Sequence, residues 1–219
     1  GSLFSFTDLD ELKKIGLDCI NFSIDTLDEA EYLKICKKNN LKKVLLNLEY
    51  AYQIGIRVKV NCVVDNLFSI SRFESMLELI KDKKIALRFI ELMPLKNSNR
   101  NQKMNELIEY VQKNYILNVY DHKLGNGPAH YYTIPEFQGC IGFIEALHNK
   151  FCSECNRIRL SSVGRLKLCL FHSDGVDLKP YLNNLEELEK TMAFWIFKKP
   201  KEHHFEEEHS STVMNEIGG

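Results

Sequence analysis

At 219 residues the chain has room for one large or two small domains around a true apolar core, which excludes a disulfide-stapled miniprotein. Its 29 Lys and Arg against 30 Asp and Glu leave a net charge of −1, so no global basic field argues for nucleic acid, and any phosphate ligand must be held locally. Seven cysteines without framework spacing, no secretory signal and no long apolar run point to a reducing, cytosol-like compartment and away from a membrane.

Thr7 with Asp10 reads as a capping box opening a short amphipathic helix, with Leu9, Leu12 and Ile15 on one face and Gly16 as its stop. Cys19 to Ile24 reads as a strand, followed by helices over Glu29–Cys36 and Leu41–Ile54, the second closed by Gly55. Ile56 to Val64 is nearly continuous in β-branched residues, the pattern of a strand covered on both faces. Ser71 with Glu74 caps a helix to about Lys81, and Ile85 to Glu91 forms the next strand, stopped at Met93-Pro94. Strands alternating with helices of this length predict parallel βαβ units. The strand ends carry Ser23 and Asp25, Lys59 and Asn61, and Glu91 and Met93, where parallel barrels gather their chemistry.

The polar stretch from Lys96 to Arg100 marks a boundary, giving expected domains of 1–95 and 96–219. Beyond it come a helix near Met104 to Lys113, a turn at Gly125-Asn-Gly-Pro128, and strands near Tyr131–Ile134 and Cys140–Ile144. Leu185 to Phe197 is a terminal amphipathic helix, and Lys198 to Ser211 is a charged tract. His203, His204 and His209 in that tract, beside three glutamates, read as a solvated surface run.

Between these elements lies the stretch that carries chemistry. Cys152 and Cys155 are spaced to grip one metal centre, and Cys169 returns from the far side of an expected hairpin. Structural zinc takes four closed ligands and an iron-sulfur cube normally four cysteines, so three thiols leave one position open. Arg157 and Arg159 alternate along an expected strand, which would send both guanidinium forks off one face, suited to phosphate. A zinc ribbon completed by His172 or a distant residue is the competing reading of the thiols, and a solvated face that of the arginines. Cys19, Cys36, Cys62 and Cys140 have no spacing partners and read as small buried hydrophobes. By pattern alone Met93 is core, Lys59 a rim ion pair, and Gly218-Gly219 either a frayed tail or backbone able to enter a narrow cleft.

Asn21-Phe-Ser-Ile-Asp-Thr-Leu-Asp28, Val58-Lys-Val-Asn61, Arg88-Phe-Ile-Glu-Leu-Met-Pro94, Gly142-Phe-Ile144, Phe151 to Leu160, Leu168-Cys-Leu-Phe171 and the Ile217-Gly-Gly219 end occur in this order. Together they resemble the GTP 3',8-cyclases, radical S-adenosylmethionine enzymes that begin molybdenum cofactor biosynthesis. The resemblance implies an α/β fold: part of an incomplete (β/α) radical-SAM barrel, then a C-terminal α+β domain carrying an auxiliary iron-sulfur cluster. It implies that Cys152, Cys155 and Cys169 hold an auxiliary 4Fe-4S cluster whose open iron meets guanine, and that Lys59, Arg157 and Arg159 contact GTP. Ser23 and Met93 match S-adenosylmethionine contacts, and Gly218 and Gly219 a tail needed for catalysis. GTP is then the partner, with no nucleic acid or membrane; a homodimer is an assembly the resemblance allows. The expected compartment is cytoplasmic, or the mitochondrial matrix if the source is eukaryotic.

One departure is plain. The family's first 4Fe-4S cluster, which works with S-adenosylmethionine, sits on a Cys-x-x-x-Cys-x-x-Cys loop, and these 219 residues contain no such run. With no Met at position 1, the expectation is a portion lacking the N-terminal half of the barrel and catalytically incomplete alone.

Overall fold

Ser5 starts the first helix: its hydroxyl accepts the Asp8 N–H at 3.2 Å while the Asp8 carboxylate accepts the Ser5 N–H at 2.7 Å. The capping box therefore sits two residues before the expected Thr7, because Ser5 has the extended backbone a cap requires (φ −92°, ψ 170°) and Thr7 already lies within α1, Phe6–Lys14. The computed structural model describes residues 3–93, 102–122, 124–147, 149, 151–170 and 175–202. It divides into two compact units, residues 1–92 with 101–145, and residues 93–100 with 146–219.

In the first unit the chain runs β1 (Cys19–Ser23), α2 (Glu29–Cys36), α3 (Leu41–Gln53), β2 (Arg57–Val64), α4 (Ile70–Lys81), β3 (Ala86–Glu91), α5 (Lys103–Asn114), β4 (Asn118–Val119), β5 (His130–Thr133) and β6 (Cys140–Ile144). The cap of α4 is also shifted, to Ser69, whose hydroxyl accepts the Arg72 N–H at 3.2 Å. These strands form one six-stranded sheet in the order β1-β2-β3-β6-β5-β4. Neighbours β1, β2, β3 and β6 are parallel, and β5 and β4 are antiparallel additions. The sheet thus crosses the boundary expected near residue 95, since β6 pairs directly with β3.

Period-two alternation gives each strand two faces. On β2, Val58, Val60, Cys62 and Val64 are buried in a core shared with Val44, Leu48 and Ala51 of α3 and Phe73, Met76, Leu77 and Ile80 of α4. Register puts the alternate residues in rows across the sheet: Asn21, Lys59, Ala86 and Cys140, then Ser23, Asn61, Arg88 and Gly142. The polar positions of the sheet therefore share one face, opposite the helices.

The second unit contains a 3-10 turn at Cys152–Glu154, then β7 (Arg159–Leu160), β8 (Arg165–Lys167), β9 (Gly175–Asp177), a second 3-10 turn at Lys179–Tyr181 and α6 (Leu185–Phe197). The three strands make an antiparallel sheet in the order β7-β8-β9. Gly164 turns the β7–β8 connection with φ +77°, a left-handed conformation that glycine adopts without strain. The core here is small: Leu166, Leu168 and Leu178 are buried against Val176, Leu188, Met192 and Trp195. Among the described residues no helix is long and apolar enough to cross a membrane.

Candidate functional site

Lys59 lies toward the start of β2, not at the strand end where its motif suggested. It is only 8 % exposed, and its ammonium donates to the Leu124 carbonyl. The chain passes so close that a side chain at Gly125, where φ is +122°, would place its Cβ 3.0 Å from the Lys59 nitrogen. Burial pushes the Lys59 pKa down, opposed by the neighbouring Cys19 thiol and reinforced by Arg88 and Arg57. Beside it is a cavity of about 330 Å³, lined among others by Arg57, Lys59, Lys84, Tyr120 and His122. The first unit thus has a basic hollow with one buried lysine at its wall.

Further along the same face, Arg88 donates to the Asn21 side-chain oxygen at 3.0 Å. The Arg88 Nε and the Asn61 side-chain oxygen are both buried without a partner. Unpartnered buried polar atoms are costly unless something else engages them. Tyr131 lies close to Arg88; burial, its largest influence, raises the phenol pKa while the guanidinium lowers it. Sequence reasoning singled out neither Arg88 nor Tyr131, although Arg88 opens one of the quoted motifs. Ser23, the last residue of β1, is exposed and pairs in register with Asn61. Met93 follows β3, is half-buried and belongs to the second unit.

In the second unit the Cys155 N–H donates to the Cys152 carbonyl at 3.2 Å, so one turn brings the two cysteines together. Arg159 pairs with Lys167 and Leu160 with Leu166; two residues beyond the Arg159–Lys167 pair lie Arg157 on one side and Cys169 on the other. Hairpin pairing therefore returns Cys169 to the turn. None of the three is in a disulfide, and all are half-buried.

The arginines differ from expectation. Strand β7 begins at Arg159, so Arg157 lies outside it, and strand alternation does not set both on one face. Arg157 is exposed and Arg159 half-buried. Burial, then repulsion from Arg157, lowers the Arg159 pKa, while the thiols of Cys155 and Cys169 pull it up. Arg159 therefore feels the other arginine and two of the three thiols at once. A residue that sequence reasoning missed stands beside them: the Lys199 ammonium donates to the carbonyl of Cys155, to the carbonyl of Arg157 at 3.0 Å and to the Cys155 sulfur at 3.4 Å.

Three thiols, two from one turn and one from the segment just after β8, are in kind soft donors suited to iron-sulfur chemistry or zinc. Among the described residues, no group of three or more His, Cys, Asp or Glu side chains is gathered as a metal-ion cage. His172, His203, His204, His209, Gly218 and Gly219 lie outside the described residues. Of the four cysteines read as buried hydrophobes, Cys62 and Cys140 are buried and Cys19 half-buried, but Cys36, in the last turn of α2, is exposed.

Residues 1–80 match the model of the radical SAM superfamily, and residues 85–205 match that of Molybdenum Cofactor Synthesis C. The GTP 3',8-cyclase of Syntrophomonas wolfei is 35 % identical over 100 % of this chain and 71 % of its own length. The chain belongs to the GTP 3',8-cyclase family. Its relatives include the GTP 3',8-cyclase of Clostridium perfringens strain 13, 35 % identical over 95 % of this chain and 68 % of the relative, and that of Desulforamulus reducens, 34 % identical over the same shares. The radical SAM match covers the parallel βα units up to α4, and the second match runs from the start of β3 through α6. The parallel sheet agrees with a partial radical-SAM barrel.

Proposed function

We propose that this chain provides the GTP side, and part of the radical side, of a GTP 3',8-cyclase, the lyase that converts GTP to 3',8-cyclo-7,8-dihydro-GTP in the first step of molybdenum cofactor biosynthesis. The observation that carries the reading is the hairpin register that returns Cys169 opposite Arg157, beside Arg159 and next to the Cys152–Cys155 turn, in a chain of this family. When bound, S-adenosylmethionine with a first 4Fe-4S cluster would supply the one-electron chemistry that opens a ribose C–H bond, and an auxiliary cluster on Cys152, Cys155 and Cys169 an iron open to guanine.

The chain's own residues bind and orient. A triphosphate needs several fixed cations, and the planar forks of Arg157 and Arg159 suit its oxygens. Lys59, at the wall of the basic hollow, adds a point charge whose desolvation is already met on folding, so an anion there meets a partly dehydrated ammonium. Ser23 and Met93 are proposed S-adenosylmethionine contacts, and the Gly218-Gly219 tail is proposed to act in catalysis. In this reading residues 1–95 are the C-terminal half of the partial βα barrel, contributing Lys59 to GTP, and 96–219 carry the auxiliary cluster and the arginines, in a cytoplasmic or mitochondrial-matrix enzyme that acts as a monomer or a homodimer. These 219 residues carry no Cys-x-x-x-Cys-x-x-Cys run, so the radical step requires sequence they do not contain.

GTP binding under anaerobic conditions tests the assignment. Arg157→Ala and Arg159→Ala should each weaken it by on the order of 1.5 to 3 kcal/mol, the worth of a hydrogen bond to a charged group. GMP, which lacks the outer phosphates, should lose less. Unchanged GTP affinity in both variants would overturn the proposed roles of the arginines.

A further inference from the structure

Lys199 follows α6 by two residues, ahead of Pro200, which cannot continue the helix. An ammonium has three N–H donors, and that of Lys199 finds three acceptors: the carbonyls of Cys155 and Arg157 and the sulfur of Cys155. Its neighbour Lys198 behaves as an ordinary surface lysine, its nitrogen 4.3 Å from the centre of the Phe194 ring and its side chain exposed. The two carbonyls lie in the stretch between the 3-10 turn and β7, which begins only at Arg159. The segment carrying a thiol and a phosphate-binding arginine is thus fixed from the end of a distant helix.

We infer that Lys199 is a positioning residue for the metal cluster, tying the Cys155–Arg157 segment to the end of α6 and placing a fixed positive charge against the Cys155 sulfur. The inference rests on the reading of Cys152, Cys155 and Cys169 as cluster ligands. Two consequences follow from one contact set. The backbone ties hold Cys155 and Arg157 in a single arrangement, so thiol and guanidinium are presented together. The charge beside the sulfur favours the more negative, reduced form of a cluster and so raises its reduction potential.

The test uses the complete protein reconstituted anaerobically with iron and sulfide, comparing the parent with Lys199→Gln, Lys199→Arg and Cys155→Ala, with thermal melting of each to establish folding. Lys199→Gln should lose iron to a chelator about 10 to 100 times faster than the parent, the range expected when an outer-shell partner of a metal ligand is removed. Its cluster should also titrate at a more negative potential, and Lys199→Arg should restore both readouts. A lysine that merely props the loop would leave the potential unmoved. Parent-like iron loss and potential in a folded Lys199→Gln variant, with iron lost in Cys155→Ala, would overturn the role of Lys199 and leave the cluster reading standing. No iron and sulfide on the parent would overturn both.

Discussion

Lys59 and Cys155 are both tied to backbone, but what stands behind them differs. Lys59 projects from a strand whose other face is buried in the large core of the first unit, between α3 and α4. Cys155 sits in a turn of a unit whose core cluster, among the described residues, is built on Leu166, Leu168 and Leu178, and it has polar ties such as those from Lys199. A sheet covered by helices holds a side chain by packing alone, whereas so small a core usually needs a staple such as a disulfide or a metal. None of the three cysteines is in a disulfide, and on the proposed reading the staple that suits them is metal. On the proposed reading, the fold of the first unit comes first and a ligand would use it, whereas in the second a bound group would contribute to the fold.

The strongest way to sharpen this contrast is to damage the first core. Phe73 is fully buried, with ring centroids 5.2 Å from Phe89 and 5.9 Å from Tyr115. Phe73→Ala should cost on the order of 3 to 5 kcal/mol in denaturant unfolding. The iron content of the protein that remains folded should not change; if it falls in proportion, the two regions are not separable in this way.

A smaller effect reads the burial of the first unit through pH. Burial of the Cys140 thiol pushes its pKa from about 9 up to about 11, with Lys59 opposing. The unfolded chain gives up this proton first, so the stabilisation is complete below pH about 9 and is lost as pH rises to about 11. Integrated over that window the loss is on the order of 2 to 3 kcal/mol. Cys140→Ala adds a constant cavity cost but removes the slope, so the stability difference between parent and variant should narrow over the window. A difference independent of pH would contradict the buried, protonated thiol.

The smallest effect concerns a helix end. Ser5→Ala should cost about 1 kcal/mol by removing the capping oxygen, while Thr7→Ala, at an exposed position inside the first turn, should stay within about 0.5 kcal/mol. Equal costs would return the cap to Thr7.

What was legible in the sequence follows from the range of the forces involved. Helices α2 and α6 match their expected limits, because periodicity and flanking caps are local signals. Parallel pairing of β1 to β3 was readable from the βαβ alternation and the unbroken apolar run of β2. The caps of α1 and α4 came out two residues late because Thr7 and Ser71 carry the same chemistry as Ser5 and Ser69, and backbone conformation decides between them. Strands β4 and β9 were missed: at two and three residues they are too short to carry a periodic pattern of their own.

For the site, spacing brought Cys152, Cys155 and Cys169 forward, and the hairpin register supports their approach. Spacing could not place Arg157 outside the strand, because strand length depends on pairing with β8. Nor could it find Lys199, 44 residues from Cys155, since a lysine after a helix looks like any other surface charge. The same limit hid the enclosure of Lys59 by Leu124 and Gly125.

The most direct measurement is iron and acid-labile sulfide on protein prepared without oxygen, with Cys155→Ala alongside. The account predicts about four irons and matching sulfide per chain on these three thiols, lost in the variant. One zinc and no sulfide would contradict it, leaving a structural metal module whose arginines have no part in holding GTP.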